Sequence, residues 1–114
     1  MRFMSLWRPS GANQNPPSEK LIAQMGQLIE EMTKNGKLVA TGGWDPRTPC
    51  TLVTSSNGGI RVTDGPYAEA KEVIAGYAIL EASSREEAIA LTRRFVEIAG
   101  DGSCELRELG GPGC

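Results

Sequence analysis

Residues 76–100, GYAILEASSREEAIALTRRFVEIAG, change period in mid-run. Up to about residue 83 the side chains alternate, with Tyr77, Ile79 and Glu81 on one side and Ala78, Leu80 and Ala82 on the other, as a strand requires. From Ser84 onward the apolar residues recur as Ala88, Leu91, Phe95 and Ile98, backed by Ala99, which is the spacing of one buried helix face. Glu86, Glu87, Arg93, Arg94 and Glu97 fall largely elsewhere on that helix. The join, Ser84-Arg85-Glu86-Glu87, has capping-box spacing: the serine hydroxyl can take an amide three residues on while Glu87 reaches back. Gly100 closes the helix. A strand that passes directly into a capped helix must lay that helix back across a sheet, which narrows the fold to layered α and β architectures.

The rest of the chain supplies the other elements. RFMSLW, residues 2–7, predicts a first strand running to about Arg8, and PSGANQNPPS then breaks it. Ser18 can cap a helix over 19–34, where Leu21, Met25, Leu28 and Met32 form an apolar stripe and Asn35-Gly36 makes the stop. KLVATGGW, residues 37–44, predicts a second strand whose end is weakened by Gly42-Gly43, a pair that permits a bulge or close backbone approach. Pro46 and Pro49 make DPRTP a connection. Asn57-Gly58 between β-branched runs predicts a hairpin with strands at about 50–55 and 59–63. SCELREL, residues 103–109, completes the set, and residues 110–114 form a loose tail. The order is strand, helix, strand, inserted hairpin, strand, helix, strand. That is the split βαβ, or ferredoxin-like, α+β pattern, with both helices on one face of a largely antiparallel sheet, in a single domain over residues 1–109.

Helices on one face leave the other in need of a cover. Either parity offers a mixture, Phe3, Ser5 and Trp7 or Tyr77, Ile79 and Glu81, too apolar for open water and too polar for a uniform core. A second copy laid sheet to sheet would bury it and leave cavities at the rim, so a homodimer is expected.

Several functions are excluded or unsupported by what the chain lacks. It has no histidine, which removes Ser-His-Asp and Cys-His catalysis and His-ligated zinc. Twelve basic against fourteen acidic residues, with no basic run, argue against nucleic acid. No apolar run has membrane-spanning length, and Arg2 and Arg8 interrupt the amino-terminal segment, so a cytoplasmic setting is expected. Cys50, Cys104 and Cys114 form no close pair and are expected as free thiols, with no histidine to activate Cys50. Gly42-Gly43 and Gly58-Gly59 make no phosphate loop, and no carboxylate spacing resembles a calcium loop, so no cofactor and no metal are expected.

VTDGPYAEAKEVIAGYAILEASSREEAIAL resembles the hallmark region of the YCII-related family, in its DGPF-motif branch, with Asp64-Gly65-Pro66-Tyr67 standing where phenylalanine is usual at the fourth place. The Glu69-Ala70-Lys71-Glu72 run, the Gly76-Tyr77 strand and the serine-capped helix continue the likeness over nearly the whole chain. The resemblance implies a dimeric α+β barrel with a cleft near the motif, and no settled reaction. Some relatives are thought to use a His-Asp pair for proton transfer. Asp64 is the corresponding aspartate, but the missing histidine means that the role does not carry over.

Two readings of the motif stand together. Asp-Gly-Pro is a sound turn in its own right, the Asp bonding backbone ahead and the Pro fixing the next angle. The same turn can also hold Asp64 at a strand end as a catalytic base or ligand acceptor. Lys71 is near enough in sequence to pair with Asp64 or to meet an anionic ligand, although Glu69, Lys71 and Glu72 can equally be a solvated cluster. Trp44 after the double glycine, Arg61, Tyr67 and Tyr77 complete the ligand-binding candidates, with a core or cross-strand role as the plain alternative. The expectation is a small-molecule protein, either an enzyme with Asp-assisted acid/base chemistry or a non-catalytic module that binds a ligand or a protein.

Overall fold

The computed structural model describes residues 1–10, 17–45, 49–64 and 74–110. Among these are six strands and two helices: β1 (Arg2–Pro9), α1 (Glu19–Lys34), β2 (Leu38–Gly43), β3 (Thr51–Ser56), β4 (Gly59–Asp64), β5 (Gly76–Glu81), α2 (Arg85–Ala99) and β6 (Gly102–Glu108). Strands β2-β5-β1-β6, in that order, form one sheet with antiparallel neighbours, and β3-β4 form a separate antiparallel pair. This is the ferredoxin-like α+β fold with the expected hairpin inserted between its second and third core strands.

Local chemistry accounts for the boundaries. The Ser18 hydroxyl accepts the Leu21 N–H at 3.2 Å, and the Ser84 hydroxyl accepts the Glu87 N–H at 3.1 Å, satisfying amides that a helix start leaves orphaned. The Glu87 carboxylate completes the box one residue further out than expected, accepting the Ser83 N–H at 3.0 Å. The same Oε1 receives the Lys37 ammonium at 2.9 Å, tying the entry of β2 to the cap of α2. At the hairpin tip Asn57 and Gly58 both have positive φ, +52° and +78°, as a turn matching the strand twist demands.

The sheet register settles which parity faces the helices. Phe3 pairs with Leu80 and Ser5 with Ala78 and Leu106, while Leu38 also pairs with Leu80. These positions pack with Leu28, Met32, Ala82 and Ala88 into one core, joined by Met25, Leu91, Phe95 and Ile98. The alternate positions carry Arg2, Met4, Leu6 and Arg8 on β1, Tyr77, Ile79 and Glu81 on β5, and Glu105 and Arg107 on β6, so this is the parity turned away from the helices. Its charges are paired among themselves: Glu81 with Arg2 at 3.5 Å and the amino terminus at 3.1 Å, and Glu105 with Arg8 at 3.1 Å and with Arg107.

The hairpin stands apart from this sheet. Its strand pairing places Val53, Val62 and Ile60 on one side, and they are 65%, 64% and 69% exposed. The radius of gyration, 15.9 Å, exceeds the roughly 13 Å of a compact chain of this size, as a projecting hairpin would cause. No helix among the described residues is long and apolar enough to cross a membrane.

Candidate functional site

The two halves of the sheet's helix-facing surface differ in side-chain size. At one end stand Phe3, Leu38 and Leu80; at the other the same rows continue as Ser5, Ala78, Gly76, Ala75 and Gly43. Helices α1 and α2 cannot sink into the small-residue end, because their own stripes pack on the large one. A cavity of about 300 Å³ results, roofed by Met25, Leu28, Ile29 and Met32 from α1 and by Leu91, Thr92 and Phe95 from α2. One wall is fixed by Trp7, whose ring meets Phe95 edge to face with centroids 5.3 Å apart and planes at 82°.

The edge of the lining that we call the lip runs along β2 and β5 at Thr41, Gly42, Gly43, Ala75 and Gly76. The Trp44 N–H donates to the Ala75 carbonyl at 2.8 Å, and the Ala75 N–H to the Trp7 carbonyl at 2.8 Å, so the backbone ladder continues past the end of β5. Tyr77 borders the cavity from β5 with its side chain on the face away from the helices, where its ring lies across Gly42 so closely that a Cβ there would stand 2.7 Å from Tyr77 Cε1. The Thr41 hydroxyl donates to the Tyr77 carbonyl at 2.9 Å.

No charged side chain among the described residues lines this space. The polar side chains around it are those of Ser5, Thr41, Thr92, Trp7 and Tyr77. Thr92 Oγ1 is buried and finds no hydrogen-bond partner among the described residues. Behind the wall, Cys104 pairs in register with Trp7; burial pushes its thiol up, and a hydrogen bond from Ser5 opposes that only in part. Such a thiol is a poor nucleophile. Cys50 and Cys104 are both free, as expected.

The expected site residues are not gathered in one place. Tyr77 borders the cavity from β5 with its side chain on the outer face, and Trp44, 46% exposed, adjoins the lip through the backbone. Asp64 and Arg61 are on the exposed hairpin, outside the cavity lining and on opposite sides of the β3-β4 pair. Asp64 Oδ1 accepts the Thr51 hydroxyl at 3.0 Å from the facing strand. Tyr67 and Lys71, with the remainder of the DGPY motif, lie outside the described residues. No cluster of three or more metal-ligating side chains occurs among the described residues. Sequence reasoning missed the lining itself: Ser5, Ala75, Gly76, Ala78 and Thr92. The available signal was the fall in size along each strand's helix-facing row, Phe3 to Ser5 and Leu80 to Ala78 to Gly76, which becomes meaningful once the rows are known to be neighbours.

Comparison with known proteins agrees with this architecture. The solved structure of 5-chloro-2-hydroxyhydroquinone dehydrochlorinase (TftG) from Burkholderia phenoliruptrix AC1100, in complex with 2,5-dihydroxybenzoquinone, superposes with a TM-score of 0.52 at 13% identity, over 96% of this chain and 94% of that one, which establishes a shared fold. An uncharacterised protein of Rhizobium meliloti (strain 1021) is 28% identical over 92 residues, covering 80% of this chain and 74% of its own length. The model of the YCII-related domain matches residues 1–109, from the first strand to the end of the last, and on that match the chain belongs to the YCII-related family.

Proposed function

We propose that this protein binds a small molecule between its helix layer and its sheet, through the lip formed by Gly42, Gly43, Ala75 and Gly76. The observation that carries the reading is the cavity: about 300 Å³, lined mostly by apolar residues and walled by the Trp7 and Phe95 rings. Ligand sites are typically such hollows with a few polar groups. The one-ring compound in the TftG complex is of a size that this volume takes, which supports the reading without supplying a reaction.

Screening a metabolite collection for thermal stabilisation tests it, with Gly43→Leu as the blocked control. A Cβ at Gly43 meets nothing nearer than the Ala75 carbonyl at 3.5 Å, so the backbone accepts the change while the longer side chain occupies the lip. Hits should lose about tenfold or more in affinity in Gly43→Leu. Hits that bind both proteins equally would place the ligand elsewhere.

Catalysis by Asp64 is the finer reading, and a specific observation favours its structural alternative: the exposed carboxylate serves as the Thr51 acceptor on the hairpin. Asp64→Asn with a turnover assay on any hit separates the two. Loss of turnover in a folded variant supports the base, and full turnover removes it.

A homodimer belongs to the same proposal. Met4, Leu6, Tyr77 and Ile79 share the face away from the helices, rimmed by the ion pairs of Glu81 and Glu105. The bare hairpin face of Val53, Ile60 and Val62 adds apolar area for it to cover. Sedimentation of dilute protein should give the dimer mass; a stable folded monomer would contradict it.

A further inference from the structure

We infer that α2 is a movable wall of the cavity: it pivots on its capped start, its far half gives way into a second hollow behind it, and the room in that hollow sets how large a ligand the site accepts. The inference deepens the reading of the cavity as a ligand site and rests on it.

The second hollow lies between α2 and β6. Its volume is about 390 Å³, and it is bordered by Ile89, Val96 and Glu97 of α2 and by Cys104 and Leu106 of β6. The ligand cavity is bordered by the other flank of the same helix, at Leu91 and Phe95, and Thr92 stands on the boundary between the two. A helix packed tightly on both flanks resists displacement, because any shift drives side chains into their neighbours. Here space lies on each flank, so a shift of α2 toward β6 widens the cavity as the hollow shrinks.

The attachments of α2 are unequal along its length. At its start the Ser84 hydroxyl accepts the Glu87 N–H at 3.1 Å, and the Glu87 carboxylate takes the Ser83 N–H at 3.0 Å and the Lys37 ammonium at 2.9 Å. Among the described residues, the one side chain that α2 buries is Ala88, in this same first turn. Farther along, Leu91, Phe95 and Ile98 are only partly buried. The far half is tied by the ring contact of Phe95 with Trp7 and by the Arg94–Glu31 ion pair to α1, half-exposed on both partners and therefore weak. At its end α2 passes through Gly100, at φ +92°, to Asp101, whose carbonyl accepts the Ser10 N–H at 3.1 Å. The glycine is a joint between a helix with room to move and a strand entry that is held.

Two rigid probes of different size, naphthalene and pyrene, test this, each followed by the change in its own fluorescence on titration with the protein. An apolar cavity of roughly 150 Å³ takes benzene in another protein, so about 300 Å³ takes two fused rings, whereas the larger pyrene needs α2 to give way. Both probes should bind the parent. Filling the second hollow from either side, with Val96→Phe or Leu106→Phe, should weaken pyrene by about tenfold or more and change naphthalene by less than about twofold. The two fillers lie on different elements, so either one that folds gives the reading. Arg94→Gln, which unties the far half from α1, should tighten pyrene by about twofold to fivefold and leave naphthalene unchanged. Naphthalene binding with pyrene excluded from the parent, or pyrene binding indifferent to the fillers, overturns the inference while the ligand site stands. If neither probe binds, the inference is overturned as well, and the ligand site falls with it only when metabolite hits are indifferent to Gly43→Leu.

Discussion

Tyr77 lies where a side chain at position 42 would otherwise be. Because Gly42 has no Cβ, the tyrosine ring can cross the edge strand on the face away from the helices. Gly42→Ala is therefore expected to cost about 1 kcal/mol by forcing the ring aside. In a Tyr77→Ala background the same change should cost little, and chemical denaturation of the four proteins in this cycle measures the coupling. Single residues were legible in the sequence where the chemistry is local. Ser18, Ser84 and the Asn57-Gly58 turn declare themselves within a few neighbours, and all three take the expected roles. The role of Gly42 was half visible, as permission for close approach; that the approaching group is Tyr77 depends on a register between strands 35 residues apart in the chain.

At the scale of elements, period and capping identify each strand and helix to within one or two residues, because both signals are carried inside the element. What joins them is less visible. The Lys37–Glu87 contact fastens β2 to α2, and the Lys37 hydrogen bond, aided by the Ser83 amide, holds the Glu87 carboxyl below its ordinary value of 4.5. A carboxyl depressed in the folded state contributes stability above its unfolded value, and that contribution is lost as pH falls through the folded value. Glu87→Gln should therefore melt at a lower temperature than the parent at neutral pH. Below pH 4.5 the gap should shrink and close as the parent's carboxyl takes its proton, which melting curves between neutral and strongly acidic pH would reveal. A constant gap across that range would mean that packing, not charge, is what Gln loses.

For the whole molecule, the sequence predicted a sheet with one covered face, and the register identifies the uncovered one as the parity of Met4, Leu6, Tyr77 and Ile79. Phe3, Ser5 and Trp7 turned out to face the helices. If a second copy covers the free face, Leu6→Glu should weaken its association by about a hundredfold or more and leave a folded monomer, as measured by sedimentation across a dilution series. The candidate site was legible only in part. The motif drew attention to Asp64, whereas the described cavity arises from small side chains on three strands facing two helix stripes, a pattern no local window contains. Volume is a property of the packed layers, and only their assembly exposes it.

The central claim is that ligand enters between helices and sheet and not at the hairpin carboxylate. Backbone amide shifts during titration with a hit from the metabolite screen test it most directly. Movement confined to Gly43, Ala75, Gly76 and Thr92 is the expected result. Movement at Thr51, Arg61 and Asp64 with the lip silent would contradict the account.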